Sequence, residues 1–344
     1  MTTTRDTARA ARVARAGAIV LALASCRIEE VAPGDPRPPW QQIDRPSLAA
    51  CGGCHFEVYE EWERSLHHRA WSNENVRAET NAFAQPGCRA CHSPLPIFAT
   101  GLDRRPAYRD VNQWDGVHCL SCHGLDDGVA AARDVPDAPC RPRRVPDFLT
   151  AQACWPCHEP THHAFEEYDR SDARAVGVRC VDCHMQPTLH RAGRSHGPHG
   201  GLDPEFVKRA VAWQVERAGD VVRVTLRNRT GHKFPGEIPS RIFQIRFTAD
   251  DAEPTWVTFR KPGKTETRAD DRLDVDETRR LEFPIPAGAR RLAIALLWKP
   301  FPLLPDEAAA VLGEWSEESG APAVESGEEA GVSPPEASPE AGGP

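Results

Sequence analysis

The chain has 344 residues, a formal net charge of −8, and twelve cysteines. Its length allows two domains. The absence of a basic tract excludes a nucleic-acid partner, and the cysteine usage excludes an ordinary enzyme of a reducing compartment.

Residues 1–25 read as an export signal. Arg5, Arg9, Arg12 and Arg15 form a positive segment, and Ala16 to Ser25 is an apolar run too short to span a bilayer. The run ends in Leu23-Ala24-Ser25-Cys26, which resembles a bacterial lipobox and makes Cys26 the lipidated first residue of a mature chain. Such a protein is exported to the periplasmic side or the cell surface and held on a membrane through its N-terminal lipid. Residues 26–46 carry Pro33, Pro36, Pro38, Pro39 and Pro46 and read as an extended tether.

Residues 47–204 contain short helical candidates between loops. Tyr59, Trp62 and Leu66 recur at helical spacing within Phe56 to Trp71, and Phe165 to Ala175 is a second candidate. Aliphatic residues are too sparse here for an ordinary core, so bound cofactors would have to supply apolar area. Residues 205–300 alternate instead. Val211, Trp213 and Val215 are followed, after the turn Ala218-Gly219-Asp220, by Val222, Val224 and Leu226. Phe243 to Phe247, Trp256 to Phe259, Leu281 to Ile285 and Leu292 to Trp298 complete six strands of a small antiparallel β-sandwich. Residues 301–344 read as a short helix and a disordered acidic tail, with ten acids and no Lys or Arg from residue 305 onward. The fold class is therefore α+β: a mostly helical and loop domain, a β-sandwich, and a tail.

Ten cysteines fall into five Cys-x-x-Cys-His motifs: Cys51-Cys54-His55, Cys88-Cys91-His92, Cys119-Cys122-His123, Cys154-Cys157-His158 and Cys180-Cys183-His184. Two residues between the cysteines let both sulfurs reach the two vinyl groups of one haem, and the next histidine turns its ring under the iron. The pattern predicts five covalently attached haem c groups with His55, His92, His123, His158 and His184 as proximal ligands. A zinc site or redox dithiol does not require a histidine after every pair. The only methionines are Met1 and Met185, and Met185 follows His184 too closely to cap the same iron. Met/His ligation is thus almost excluded, and low potentials are expected. Nine histidines lie outside the motifs, more than the five that bis-histidine ligation needs. Cys140 is left over and reads as a lone thiol without function.

The stretch from Cys51 to Trp71, with Trp62, Ser65-Leu66-His67 and Ala70-Trp71, resembles the multihaem cytochrome c family typified by tetrahaem cytochrome c-554. Cys91-His92-Ser93-Pro94-Leu95, Gly116-Val117-His118-Cys119 and Cys183-His184-Met185 share that resemblance. So do Ser195-His196 before Gly200-Gly201, and Thr230-Gly231-His232-Lys233-Phe234-Pro235. Similar proteins continue the last loop as Pro-Thr-Gly, whereas Pro235 is followed here by Gly236 and Glu237. The resemblance implies that His67, His196 and His232 are distal ligands, His67 on the first helix reaching a haem other than its own. His162 or His163 is the candidate for a fourth distal position, and His199 or His118 for a fifth. His118 reads as a neighbour's ligand or an exposed residue. The expected function is electron transfer with redox partner proteins. A reductase or oxidase of small nitrogen or sulfur oxyanions with one open haem is the alternative. Self-association through end haems would instead suit a scaffold.

Overall fold

The computed structural model describes residues 48–197, 200–263, 266–301 and 304–318, with the side chains of residues 49, 149 and 160–162 outside that description. The signal segment, Cys26, the proline-rich tether, His199, the His162 side chain and the acidic tail beyond 318 all lie outside the described residues. Among the described residues no helix is long and apolar enough to cross a membrane.

The first half is a series of one- and two-turn helices: α1 (Ala49–Cys54), α2 (Phe56–Glu63), α3 (Glu74–Glu79), α4 (Pro86–His92), α5 (Ile97–Thr100), α6 (Cys119–His123), α7 (Trp155–His162), α8 (Ala164–Asp169), α9 (Asp172–Ala175), α10 (Cys180–His184) and α11 (Pro204–Lys208). Short strands β1 (Gly124–Leu125), β2 (Gly128–Ala131) and β3 (Pro142–Arg144) form a small sheet after α6. The helix expected from Phe56 to Trp71 stops at Glu63. Beyond it the His67 carbonyl accepts from the Val117 N–H at 2.8 Å, and Trp62 Nε1 donates to the Val117 carbonyl at 2.8 Å. Two long-range bonds thus replace the helical ladder and hold this turn against the 116–117 loop. The helix expected from Phe165 to Ala175 is likewise two helices, broken where Ser171 caps α9 by accepting from the Arg174 N–H.

Buried apolar side chains in this half are scattered. Trp71 stacks on the fully buried Phe83 with ring centres 4.1 Å apart, and Trp62, Ile97, Val117 and Leu120 are buried elsewhere. The second half has a continuous core. A three-stranded antiparallel sheet joins β4 (Val211–Ala218), β5 (Val221–Asn228) and β8 (Thr278–Pro284). A four-stranded antiparallel sheet joins β6 (Ile242–Ala249), β7 (Thr255–Phe259), β9 (Arg291–Lys299) and β10 (Ala310–Glu318) in the order β10-β9-β6-β7. The β4–β5 hairpin turns at Gly219, whose φ of +67° is the left-handed conformation that a two-residue turn demands. Val222, Val224 and Leu226 from one sheet meet Phe243, Ile245, Leu296 and Trp298 from the other in one cluster, the inner-face alternation of a two-sheet stack.

Two corrections concern the C-terminal end. Strand β10 is a seventh strand beyond the six expected, and it extends the β part past residue 300. The helix expected after 301 is a single 3-10 turn at Asp306–Ala308. Leu312 and Trp315 are the buried residues of β10, three apart, because a register shift between Val311 and Gly313 breaks the alternation. The two halves are tied by Trp298 Nε1 donating to the Gly201 carbonyl at 2.8 Å, and by Arg170 to Asp274 at 2.7 Å.

Candidate haem-binding site

All five motifs lie on or beside a short helix. Residues three apart on a helix share a face, so one helical turn turns both sulfurs of a motif to the same side, with the histidine next to them. Local capping explains two of these turns. At α10 the Asp182 carboxylate accepts from the Arg179 N–H at 2.9 Å, and Arg194 donates to the same carboxylate at 2.6 Å. Burial alone would raise the Asp182 pKa, but these arginine bonds outweigh it and hold the carboxyl at about 2. At α6 the His118 Nδ1 accepts from the Ser121 N–H at 3.2 Å. Of the two readings expected for His118, a neighbour's ligand or an exposed residue, exposure is corrected: it is buried, and burial pushes its pKa down to about 3. A neutral ring accepting at Nδ1 carries its proton on Nε2, so His118 in this arrangement is a helix cap and offers no lone pair there.

Four of the other histidines are arranged the opposite way. His92 donates Nδ1–H to the Ala70 carbonyl at 2.8 Å, and His123 to that of Ala130 at 2.9 Å. His196 donates to the Arg194 carbonyl at 3.0 Å, and His232 to that of Lys233 at 3.0 Å. A carbonyl only accepts, so Nε2 keeps its lone pair in all four, the orientation of a metal-ligating imidazole. Burial lowers the pKa of His67, His92, His123 and His232 and brings His196 to about 4, so these rings are neutral at pH 7. His67 has an accessible ring surface, yet the protein around it shields it from bulk water.

Three pairs of rings face each other. His158 faces His67 with ring centres 6.4 Å apart, His123 faces His196 at 6.2 Å, and His184 faces His232 at 6.3 Å. Two imidazoles on opposite sides of one metal, with bonds of about 2.0–2.1 Å and ring centres about 1.1 Å behind the nitrogens, have centres roughly 6.3 Å apart. Each pair joins one motif histidine to one non-motif histidine. The donor set and spacing therefore fit haem iron.

The cysteines reveal which motifs are neighbours. The Cys51 thiol lies beside that of Cys119, Cys91 beside Cys157, and Cys154 beside Cys180. Cys122 lies close enough to raise the pKa of both Cys154 and Cys157. The first motif thus lies beside the third, the third near the fourth, and the fourth beside both the second and the fifth. Cys140 is half-buried, and Cys51 and Cys54 of the first motif are close enough to add to the rise in its pKa.

Residues 50–124 match the family described as cytochrome c554 and c-prime. No curated protein matches the sequence. Among solved structures, a penta-heme cytochrome c552 from Thermochromatium tepidum shares the fold, with a TM-score of 0.62, 20% identity, and coverage of 79% of this chain and 98% of that one. Over residues 50–124 the chain is similar to that family, and beyond them the likeness is one of fold. That similarity, together with the Cys-x-x-Cys-His motifs, supports haem c as the cofactor.

Of the residues expected at the site, the structure brings His67, His196 and His232 opposite motif histidines. His163 is exposed, with its Nδ1 3.8 Å from Glu166. Two contributors escaped the sequence. Glu61 on α2 accepts from the His196 N–H at 2.7 Å and from Arg191 at 2.6 Å. An acid on an exposed-looking helix gives no sign of a partner 135 residues away. Asp182 sits at the third position of its helix after an arginine, without the Ser or Thr that marks a capping box.

Proposed function

We propose that this chain is an exported electron carrier with five covalently attached bis-histidine haem c groups. The cysteines of the five motifs hold the macrocycles, and His55, His92, His123, His158 and His184 bind the irons from one side. His67 is the distal partner of His158, His196 that of His123, and His232 that of His184. The observation that carries this reading is the repeated ring spacing of 6.2–6.4 Å between one motif and one non-motif histidine. His162 and His199 remain the sequence's candidates for the irons of His55 and His92. Bound haem supplies one-electron Fe(III)/Fe(II) chemistry.

The neighbour relations among motifs support a branched route. Electrons entering at the first motif pass to the third and then the fourth, which borders both the second and the fifth. Ligation without methionine supports low potentials. The segment up to Cys26 supports export and lipidation, with redox proteins as transient partners at a membrane surface.

The test is EPR of the oxidised holoprotein with CO binding after reduction, on wild type and His196→Ala. Wild type is expected to be low-spin, and H196A to gain one high-spin, CO-binding haem. An open haem in wild type would move the reading to an enzyme of small nitrogen or sulfur oxyanions. An unchanged H196A would overturn the ligand assignment.

A further inference from the structure

The loop that carries His232 is anchored on the haem side by one carboxylate. Glu167 on α8 accepts from the Lys233 N–H at 2.8 Å, and Lys233 is the residue whose carbonyl accepts from His232 Nδ1. Glu167 is therefore two hydrogen bonds from the imidazole. It is 6% exposed, and its other side meets the carboxyl of Glu237, to which it is hydrogen-bonded.

Two carboxyls in hydrogen-bond contact do not both ionise, so the pair shares a proton. The surrounding charges decide which member holds it. Glu237 is bonded directly to Arg272 and Lys261, and these bonds outweigh its burial and keep it ionised. Arg272 is 3.9 Å from Glu167 and spends itself on Asp270 at 2.7 Å as well as on Glu237. The Lys233 ammonium is turned to Asp270 at 3.9 Å. Just past the end of the same helix Arg170 is engaged by Asp274, and on it Glu166 adds a further negative charge. Burial pushes Glu167 up to about 7, against the opposing Lys233 N–H bond. Glu167 is thus the member that takes up and loses the proton near neutral pH.

We propose that Glu167 positions the His232 loop and takes up one proton when the iron between His184 and His232 takes up one electron. This rests on the ligand assignment above. The electron comes from the reduced redox partner and the proton from water. Fe(III) becomes Fe(II), one O–H bond forms on the Glu167 carboxylate, and the net charge of the site is unchanged. Reduction makes the iron site one unit more negative, and a buried acceptor coupled to the His232 loop with room for a proton responds.

The experiment is a spectroelectrochemical titration of the full holoprotein between about pH 6 and 8, with Glu167→Gln and His232→Met. A Gln side chain keeps an acceptor for the Lys233 N–H and a donor for Glu237 but cannot titrate. H232M identifies the relevant wave, because Met/His ligation raises its potential. In wild type that wave falls as pH rises, by up to about 59 mV per tenfold change in proton concentration. In E167Q its slope is lost. A slope that persists in E167Q, or is absent from that wave in wild type, overturns the proposal. A full set of waves unmoved by H232M shows instead that the ligand assignment is wrong, and the proposal falls with it. Redox-difference infrared spectra supply an independent reading. A protonated carboxyl band that grows on reduction in wild type is expected to vanish in E167Q, and its persistence would place the proton elsewhere.

Discussion

Gly116 offers a test of the His67 position from a residue outside the Cys-x-x-Cys-His motifs. Its φ is +59° and ψ −133°, a conformation open to glycine and costly for a residue with a side chain. A Cβ added there would lie 2.3 Å from the carbonyl oxygens of both His67 and His68. Real contacts of this kind do not fall under 3.0 Å, so Gly116→Ala must move the His67 backbone by about 0.7 Å. Metal–ligand distances hold within about 0.2 Å, so His67 would lose its place opposite His158. The variant also bears about 1–2 kcal/mol of backbone strain, which should lower Tm by roughly 5 °C once the clash is added. Gly177→Ala is the control, because its φ is +80° but nothing lies within 4 Å of the new Cβ. We expect G116A to gain one high-spin, CO-binding haem and G177A to lose stability without a change of spin state. A G116A protein with the spin state and CO response of wild type would refute the reasoning.

Two further outcomes are expected. Glu61→Ala removes the acceptor of the His196 N–H and one partner of Arg191, leaving a half-buried N–H unpaired at a cost of about 1–3 kcal/mol. CO should then bind the reduced haem of the third motif faster, and an unchanged CO rate would show that Glu61 does not position His196. Asp182 has a carboxyl held at about 2, below its ordinary value, so its contribution is present above that ordinary value and is lost as pH falls through about 2. Asp182→Asn should cost about 2 kcal/mol at pH 7, read as a lower urea midpoint, and the two proteins should converge as pH approaches 2. A gap that stays constant with pH would mean that the arginine bonds do not set its stability.

What was legible in the sequence was local. The attachment motifs need only an i, i+3 pair of cysteines and the next residue, so five windows of five residues suffice. The strands from Val211 to Trp298 announce themselves by alternation, because each buries one face over a common core. Strand β10 did not, since the shift between Val311 and Gly313 puts its buried Leu312 and Trp315 out of phase, and its remaining surface is acidic.

The sequence by itself determined where the five cysteine pairs fall and which histidine follows each. Only the tertiary structure decided which rings face each other across 91, 73 and 48 residues of chain, and which motifs lie side by side. Hydrogen bonds from imidazole nitrogens to backbone carbonyls aim those rings, and a carbonyl has no residue type to read. The same holds for His118. Its position before Cys119 suggested exposure or a neighbour's iron, whereas the packed structure buries it and uses its lone pair to cap α6. The Glu167–Glu237 contact has the same origin, for two acids 70 residues apart become a proton-sharing pair only when the His232 loop folds back on α8.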